Sequence, residues 1–156
     1  MELKTKDFVF VFIQFGLFLV YVFEMLILKV NWPSLINKMG LLVLILGILI
    51  VLISLIQLNK NLSPFPSPKV NSELIQTGLY KFIRHPIYAG ILCVVFGYGF
   101  YTDSVFKLIV ATAIYVFFHF KSRYEEKKLL VFFEEYKTYK ESTGRFLPRF
   151  FSFLTF

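Results

Sequence analysis

Between Met39 and Leu58 the chain runs for 20 residues without a charged side chain, built mainly from Leu, Ile and Val. At 1.5 Å per residue a helix of that length spans about 30 Å, the thickness of a bilayer's hydrocarbon core. Only helices and closed barrels satisfy every backbone group in lipid, so a segment like this is a membrane-crossing helix. The whole chain agrees, with 57% of its 156 residues hydrophobic and 17% charged, against roughly 45–50% and 25% in a soluble domain. Too few polar groups remain to cover a surface facing water.

Three further apolar segments extend this into an all-α, polytopic transmembrane bundle of about four spans. Phe8–Leu28 is interrupted by Gln14 and Glu24. A cleaved signal peptide is the competing reading, but the segment is long for one, lacks a small-x-small site and carries an acid inside it. Glu24 is a functional candidate because ionisable groups are rare within membranes, although its place near one end also lets it reach the interface. Asn31-Trp32-Pro33-Ser34 holds turn residues and an interfacial aromatic, so the first two spans are expected to form a tight hairpin. Ile87–Tyr101 and Val105–Phe120 are shorter, at roughly 22–24 Å. They borrow length from their flanks or cross a thinned region. Gly90, Gly97 and Gly99 permit close helix approach or leave room for a ligand, with simple helix packing the better reading for Gly97 and Gly99. His119 closes the fourth span as an interfacial group, and Cys93 is a small packing residue.

Orientation follows from the basic residues. Of the 17 Lys and Arg, only Lys29, Lys38 and Lys107 fall on one side of this arrangement. The rest lie in the N-terminus, the middle loop and the tail, so both termini are expected in the cytoplasm. The net charge of +7 is therefore read as an orientation signal toward anionic membrane lipids, and no nucleic acid partner is expected. A lone cysteine and two histidines exclude an internal disulfide and a Cys₂His₂ zinc site, and no metal is expected. Residues 1–60 form an N-terminal transmembrane hairpin in this reading. Residues 61–156 form a second region, entered through the Pro-rich linker Ser63-Pro-Phe-Pro-Ser-Pro68.

Two segments on the cytoplasmic side carry chemistry. Arg84-His85 stands directly before Pro86, a residue suited to the first turn of a helix. The free N–H groups of that turn, with Arg84, His85 and Tyr88, favour a polar or anionic ligand. From Arg123 to Lys140, apolar residues recur at helical spacing, which predicts an amphipathic helix along the interface. Glu125 and Glu126 border its apolar face and need a partner, either a cationic ligand or Arg84. Glu134 and Glu135 read as solvated.

Gly78-Leu79-Tyr80, Arg84-His85-Pro86-Ile87-Tyr88-Ala89-Gly90, Glu125-Glu126 and Tyr136…Tyr139…Thr143-Gly-Arg-Phe-Leu-Pro148, taken together, resemble the isoprenylcysteine carboxyl methyltransferase and phospholipid methyltransferase superfamily of integral membrane enzymes. The resemblance covers about residues 72–149. It implies S-adenosylmethionine as cofactor, held in a cytoplasm-facing pocket between the Arg-His-Pro segment and the Glu-Glu helix. His85, Ile87, Tyr88 and Gly90 would then bind the cofactor with Glu125 and Glu126, the latter holding one of its polar groups, while Arg84 and Arg145 would stand near substrate. Many members carry Gly-Pro-Tyr where this chain has Gly78-Leu79-Tyr80, and an additional Gly before the acidic pair that follows Phe133. Neither departure touches Arg84, His85, Tyr88, Glu125 or Glu126.

The residues suit that cofactor, which presents a carboxylate, an ammonium, a ribose and a sulfonium. They supply a helix start, acids and aromatic faces. The acceptor stays open among a prenylcysteine carboxylate, a phospholipid amine and another lipophilic nucleophile. Two other readings are an NADPH-dependent membrane reductase of lipophilic substrates and a non-enzymatic membrane partner protein. The first calls for more basic residues than the middle loop supplies.

Overall fold

Four glycines, spaced seven apart on each of two apolar segments, decide how this bundle closes. In the computed structural model, which describes residues 4–23, 28–69 and 71–149, five α-helices follow one another. They are α1 (Thr5–Val22), α2 (Ser34–Leu58), α3 (Pro86–Tyr101), α4 (Val105–Phe132) and α5 (Tyr136–Ser142). A Cβ added to Gly40 or Gly47 of α2 would lie 2.8 Å from the carbonyl oxygen of Gly97 or Gly90 on α3. Backbone therefore meets backbone along a shared face, because seven residues is close to two helical turns. In a membrane, where burial of apolar surface drives little, such contact is what holds helices together.

α1 docks elsewhere. Phe10 meets Phe117 and Tyr124 of α4, and Phe18 meets Phe118, with ring centroids 5.1–6.4 Å apart. Leu92 and Val95 of α3 join Val110, Ala111, Ile114 and Phe118 of α4 in the buried core, against which Leu17, Phe18 and Tyr21 of α1 pack. The tight hairpin expected of the first two spans is thus not the packing found: α2 is seated on α3 and α1 on α4. Glycine pairs give α3 the closer fit to α2, while the aromatic face of α1 needs the broad side chains of α4.

α1, α2 and α4 are long and apolar enough to cross a membrane, and α3 is the shorter apolar helix that its sequence predicts. α4 departs from expectation. It does not stop at Phe120 before a separate interfacial helix, but continues to Phe132, and the remainder of the amphipathic stretch forms the short α5. No Gly or Pro interrupts residues 105–132, and the charged groups that read as interfacial find partners inside the protein. Lys121, Glu126 and Lys128 are all buried. Glu24 lies outside the described residues.

The two ends of the bundle are chemically distinct. At one, Asp103 accepts hydrogen bonds from the Trp32 backbone N–H at 3.0 Å and the Asn37 amide at 2.8 Å. At the other, buried Asp7 binds Lys128 Nζ at 2.7 Å and the Ser67 hydroxyl at 2.7 Å, which gathers the start of α1, the Pro-rich loop and the end of α4. The lipid-facing sides of α1 and α2 expose large apolar groups such as Phe12 and Ile56.

Gly97→Ala should destabilise the protein by about 1–3 kcal/mol through overpacking, since its Cβ would lie 2.6 Å from the Leu44 backbone nitrogen. Gly16→Ala, with nothing within 4 Å of the new Cβ, should be neutral or stabilising by up to about 1 kcal/mol from helix propensity. Thermal unfolding of the two variants in detergent separates these outcomes.

Candidate functional site

Pro86 opens α3 and His85 is its N-cap residue, so the Arg-His pair is fixed where the chain turns into the bundle. The tail then comes alongside. The Arg84 N–H donates to the Gly144 carbonyl at 2.9 Å, the His85 N–H to the Arg145 carbonyl at 3.1 Å, and the Gly144 N–H to the Phe82 carbonyl at 3.1 Å. This short parallel pairing brings two guanidinium groups, Arg84 and Arg145, to the same place.

Glu126 makes that juxtaposition tenable. Its Oε1 accepts from Arg84 Nε at 3.0 Å and Arg145 Nε at 3.2 Å, and its Oε2 from Arg145 Nη2 at 3.2 Å. Lys140 Nζ stands 3.3 Å from Oε2 and His85 Nε2 3.4 Å from Oε1. Arg84 Nη1 also donates to the carbonyls of Lys140, at 3.1 Å, and of Thr143. Both carboxylate oxygens are spoken for, and Glu126 is 1% exposed. Charge-assisted bonds of this kind are the strong ones, and a buried ion persists only with such company.

Beside this knot opens a cavity of about 350 Å³. Its floor is the start of α3, with His85, Ile87 and Tyr88, and one wall is α4, with Lys121 and Glu125. The Pro-rich loop crosses it from Leu62 to Pro68, and Tyr80, Tyr136 and Tyr139 close the remaining side. The Tyr88 hydroxyl donates to Glu125 Oε2 at 2.9 Å, and His85 Nδ1 lies 3.8 Å from the same oxygen. The His85 ring stacks on Tyr88 at 5.4 Å and 4°, and Tyr88 on Phe118 at 4.5 Å and 17°. This column of flat rings fixes the orientation of the acid at its edge.

The sequence-derived candidates divide between the cavity and its support. Arg84, His85, Ile87, Tyr88 and Glu125 line it. Glu126 and Arg145 sit in the ion cluster behind the wall. Gly90 faces α2, where a Cβ would lie 2.9 Å from the Gly47 carbonyl oxygen. Of the two adjacent acids, Glu125 is therefore the one on the cavity wall, and its side chain is 24% exposed against 2% for Glu126.

Sequence reasoning did not single out Gln14, Lys121 or the three tyrosines as lining residues. Tyr139 donates to the Tyr80 carbonyl at 2.6 Å and Tyr80 to the Ser54 carbonyl at 3.4 Å, whereas the buried Tyr136 hydroxyl has no hydrogen-bond partner among the described residues. Burial pushes all three phenols well above the ordinary tyrosine range, with help from the Glu125 charge at Tyr80 and the Glu126 charge at Tyr136 and Tyr139. They stay neutral proton donors through the physiological range.

A profile of the phospholipid methyltransferase family matches residues 36–136. Among solved structures, the chain is similar to the eukaryotic intramembrane Ras methyltransferase, isoprenylcysteine carboxyl methyltransferase, solved without a monobody. The TM-score is 0.66 and the identity 20%, over 96% of this chain and 55% of that one. The chain thus spans about half the length of that protein, and the likeness is one of fold. No curated protein matches it.

Glu126→Gln should cost about 3–5 kcal/mol of stability, because it leaves buried guanidiniums without their counter-ion. Glu125→Gln, at the open wall, should cost far less. Denaturant or thermal unfolding of both variants in the same detergent makes the comparison.

Proposed function

Because the chain belongs to the phospholipid methyltransferase family, we propose that it is an integral membrane methyltransferase that uses S-adenosylmethionine and acts on a lipophilic acceptor delivered through the membrane. The observation that carries this reading is the cavity itself. It lies at the end of the bundle where α1 begins, the Pro-rich loop crosses and α4 ends. A soluble cofactor and a membrane-embedded acceptor could both reach it there. The basic residues concentrated at that end support a cytoplasmic orientation.

The residues present fit the cofactor. Glu125 offers a carboxylate to an ammonium or to ribose hydroxyls, and Tyr88 holds that carboxylate by a 2.9 Å hydrogen bond. Tyr80 and Phe133 line the cavity and bring aromatic faces to an adenine or a sulfonium. His85 is fixed by its stack on Tyr88 and brings an imidazole edge to the floor. Bound there, the cofactor supplies an electrophilic methyl group whose sulfonium charge is lost as the new bond forms.

What the chain contributes is alignment and exclusion of water. The Pro-rich loop and α5 close the cavity, and an apolar enclosure favours a step in which charge is dispersed. Arg84 is immobilised by Glu126 and two backbone carbonyls. It acts as a fixed positive edge to the cavity, where it favours anionic groups. Arg145 holds the same carboxylate from behind, so its role in this reading is to position Arg84 and Glu126.

Isothermal titration of the protein in a neutral detergent with S-adenosylhomocysteine should give saturable binding, with none for NADPH. Glu125→Gln should weaken that binding by about tenfold or more, the value of a hydrogen bond to a charged group, with little change in unfolding temperature. NADPH binding without adenosyl-ligand binding would replace this reading with a reductase.

A further inference from the structure

We propose that Lys121 is an oxyanion-binding residue within the cavity, set to receive a carboxylate or phosphate. Among the described residues, the other buried or half-buried Lys and Arg side chains at this end of the bundle stand against a carboxylate. Lys128 has Asp7 at 2.7 Å, and Arg84 and Arg145 share Glu126. Lys121, 1% exposed, has only neutral acceptors among the described residues: Gln14 Oε1 at 2.5 Å and the Pro64 carbonyl at 3.1 Å. The Tyr88 ring lies 5.4 Å from its Nζ. An ammonium has three donors, and these partners take two. Glu125, one turn further along α4, is bound by the Tyr88 hydroxyl and forms no ion pair with Lys121.

A buried charge without a counter-ion is costly to keep, and this one lines a cavity. The third donor is therefore available to a ligand, and so is a charge that Glu125 offsets only from a distance. One turn separates Lys121 from Glu125, about 6 Å along the helix, so the α4 wall presents a cation and an acid in sequence. A zwitterion fits that pair, with its oxyanion at Lys121 and its ammonium at Glu125. The oxyanion has two possible sources: the carboxylate of the adenosyl ligand's amino-acid end, or the headgroup of a lipid acceptor. The first source rests on the methyl-transfer reading, whereas the site itself does not.

Two variants test the assignment. Lys121→Met removes the charge and keeps the bulk. Gln14→Glu gives Lys121 an internal carboxylate, which should raise the unfolding temperature of the ligand-free protein and compete with an external anion. Each is titrated with S-adenosylhomocysteine, with 5′-methylthioadenosine, which lacks the amino-acid end, and with dodecyl phosphate. A loss of about tenfold or more for S-adenosylhomocysteine but not for 5′-methylthioadenosine assigns the oxyanion to the adenosyl ligand. The same loss for dodecyl phosphate alone assigns it to a lipid. Unchanged affinities for both anions, or an equal loss for all three probes, would overturn the proposal. Should Lys121→Met fail to fold, Gln14→Glu decides alone. If the unaltered protein binds dodecyl phosphate but neither adenosyl probe, the methyl-transfer reading falls and the oxyanion site stands.

Discussion

The Glu126 carboxylate is the point on which this end of the molecule depends. Three chain segments that are far apart in sequence converge on it: the turn into α3 through Arg84, the last turns of α4 that carry the acid, and the tail through Arg145 and Lys140. Removing the acid would leave Arg84, Arg145 and Lys140 together without a counter-ion. The backbone pairing of residues 82–85 with 144–145 depends on the same cluster, because it forces two guanidiniums together. The cavity floor is the far side of this pairing. A structural ion cluster and an open site are thus built back to back from adjacent residues, with Glu126 facing one and Glu125 the other.

That arrangement changes what the acidic pair means. Adjacent glutamates on a helix differ by about 100° in direction, enough to send one into the protein's own cations and leave the other to a ligand. The helix extends unbroken through this region because its charged groups find partners on α1. Asp7 serves Lys128 from α1, while Gln14 reaches Lys121 from about two turns further along. α1 is therefore part of the site, although it lies before the segment that carries the family pattern. Asp7, through Ser67, also secures the Pro-rich loop that forms a cavity wall.

Much of this was legible in the sequence, and the reasons differ by element. The apolar runs fixed the helices, Pro86 fixed the start of α3, and the density of polar groups from Arg84 to Gly90 fixed the neighbourhood of the site. Local pattern could not reveal pairings between remote residues. Lys121 and Lys128 read as interfacial charges because their partners, Gln14 and Asp7, lie over a hundred residues away. The same blindness placed a break at Phe120. Gly90 closes the motif and so reads as ligand-facing, whereas its Cα abuts Gly47 and Val51 of α2. Helix pairing was equally hidden, since the glycine spacing that joins α2 to α3 is visible only when both helices are compared.

In the proposed function, the cavity between α3, α4 and the Pro-rich loop brings a methyl donor to a lipophilic acceptor. The most direct test is transfer of label from S-adenosylmethionine carrying a tritiated methyl group, followed in membranes from cells with and without the chain. The account predicts label in the organic-extractable fraction that depends on the chain and is lost with Glu125→Gln. Equal labelling with and without the chain, or full transfer by the Glu125→Gln variant, would contradict it.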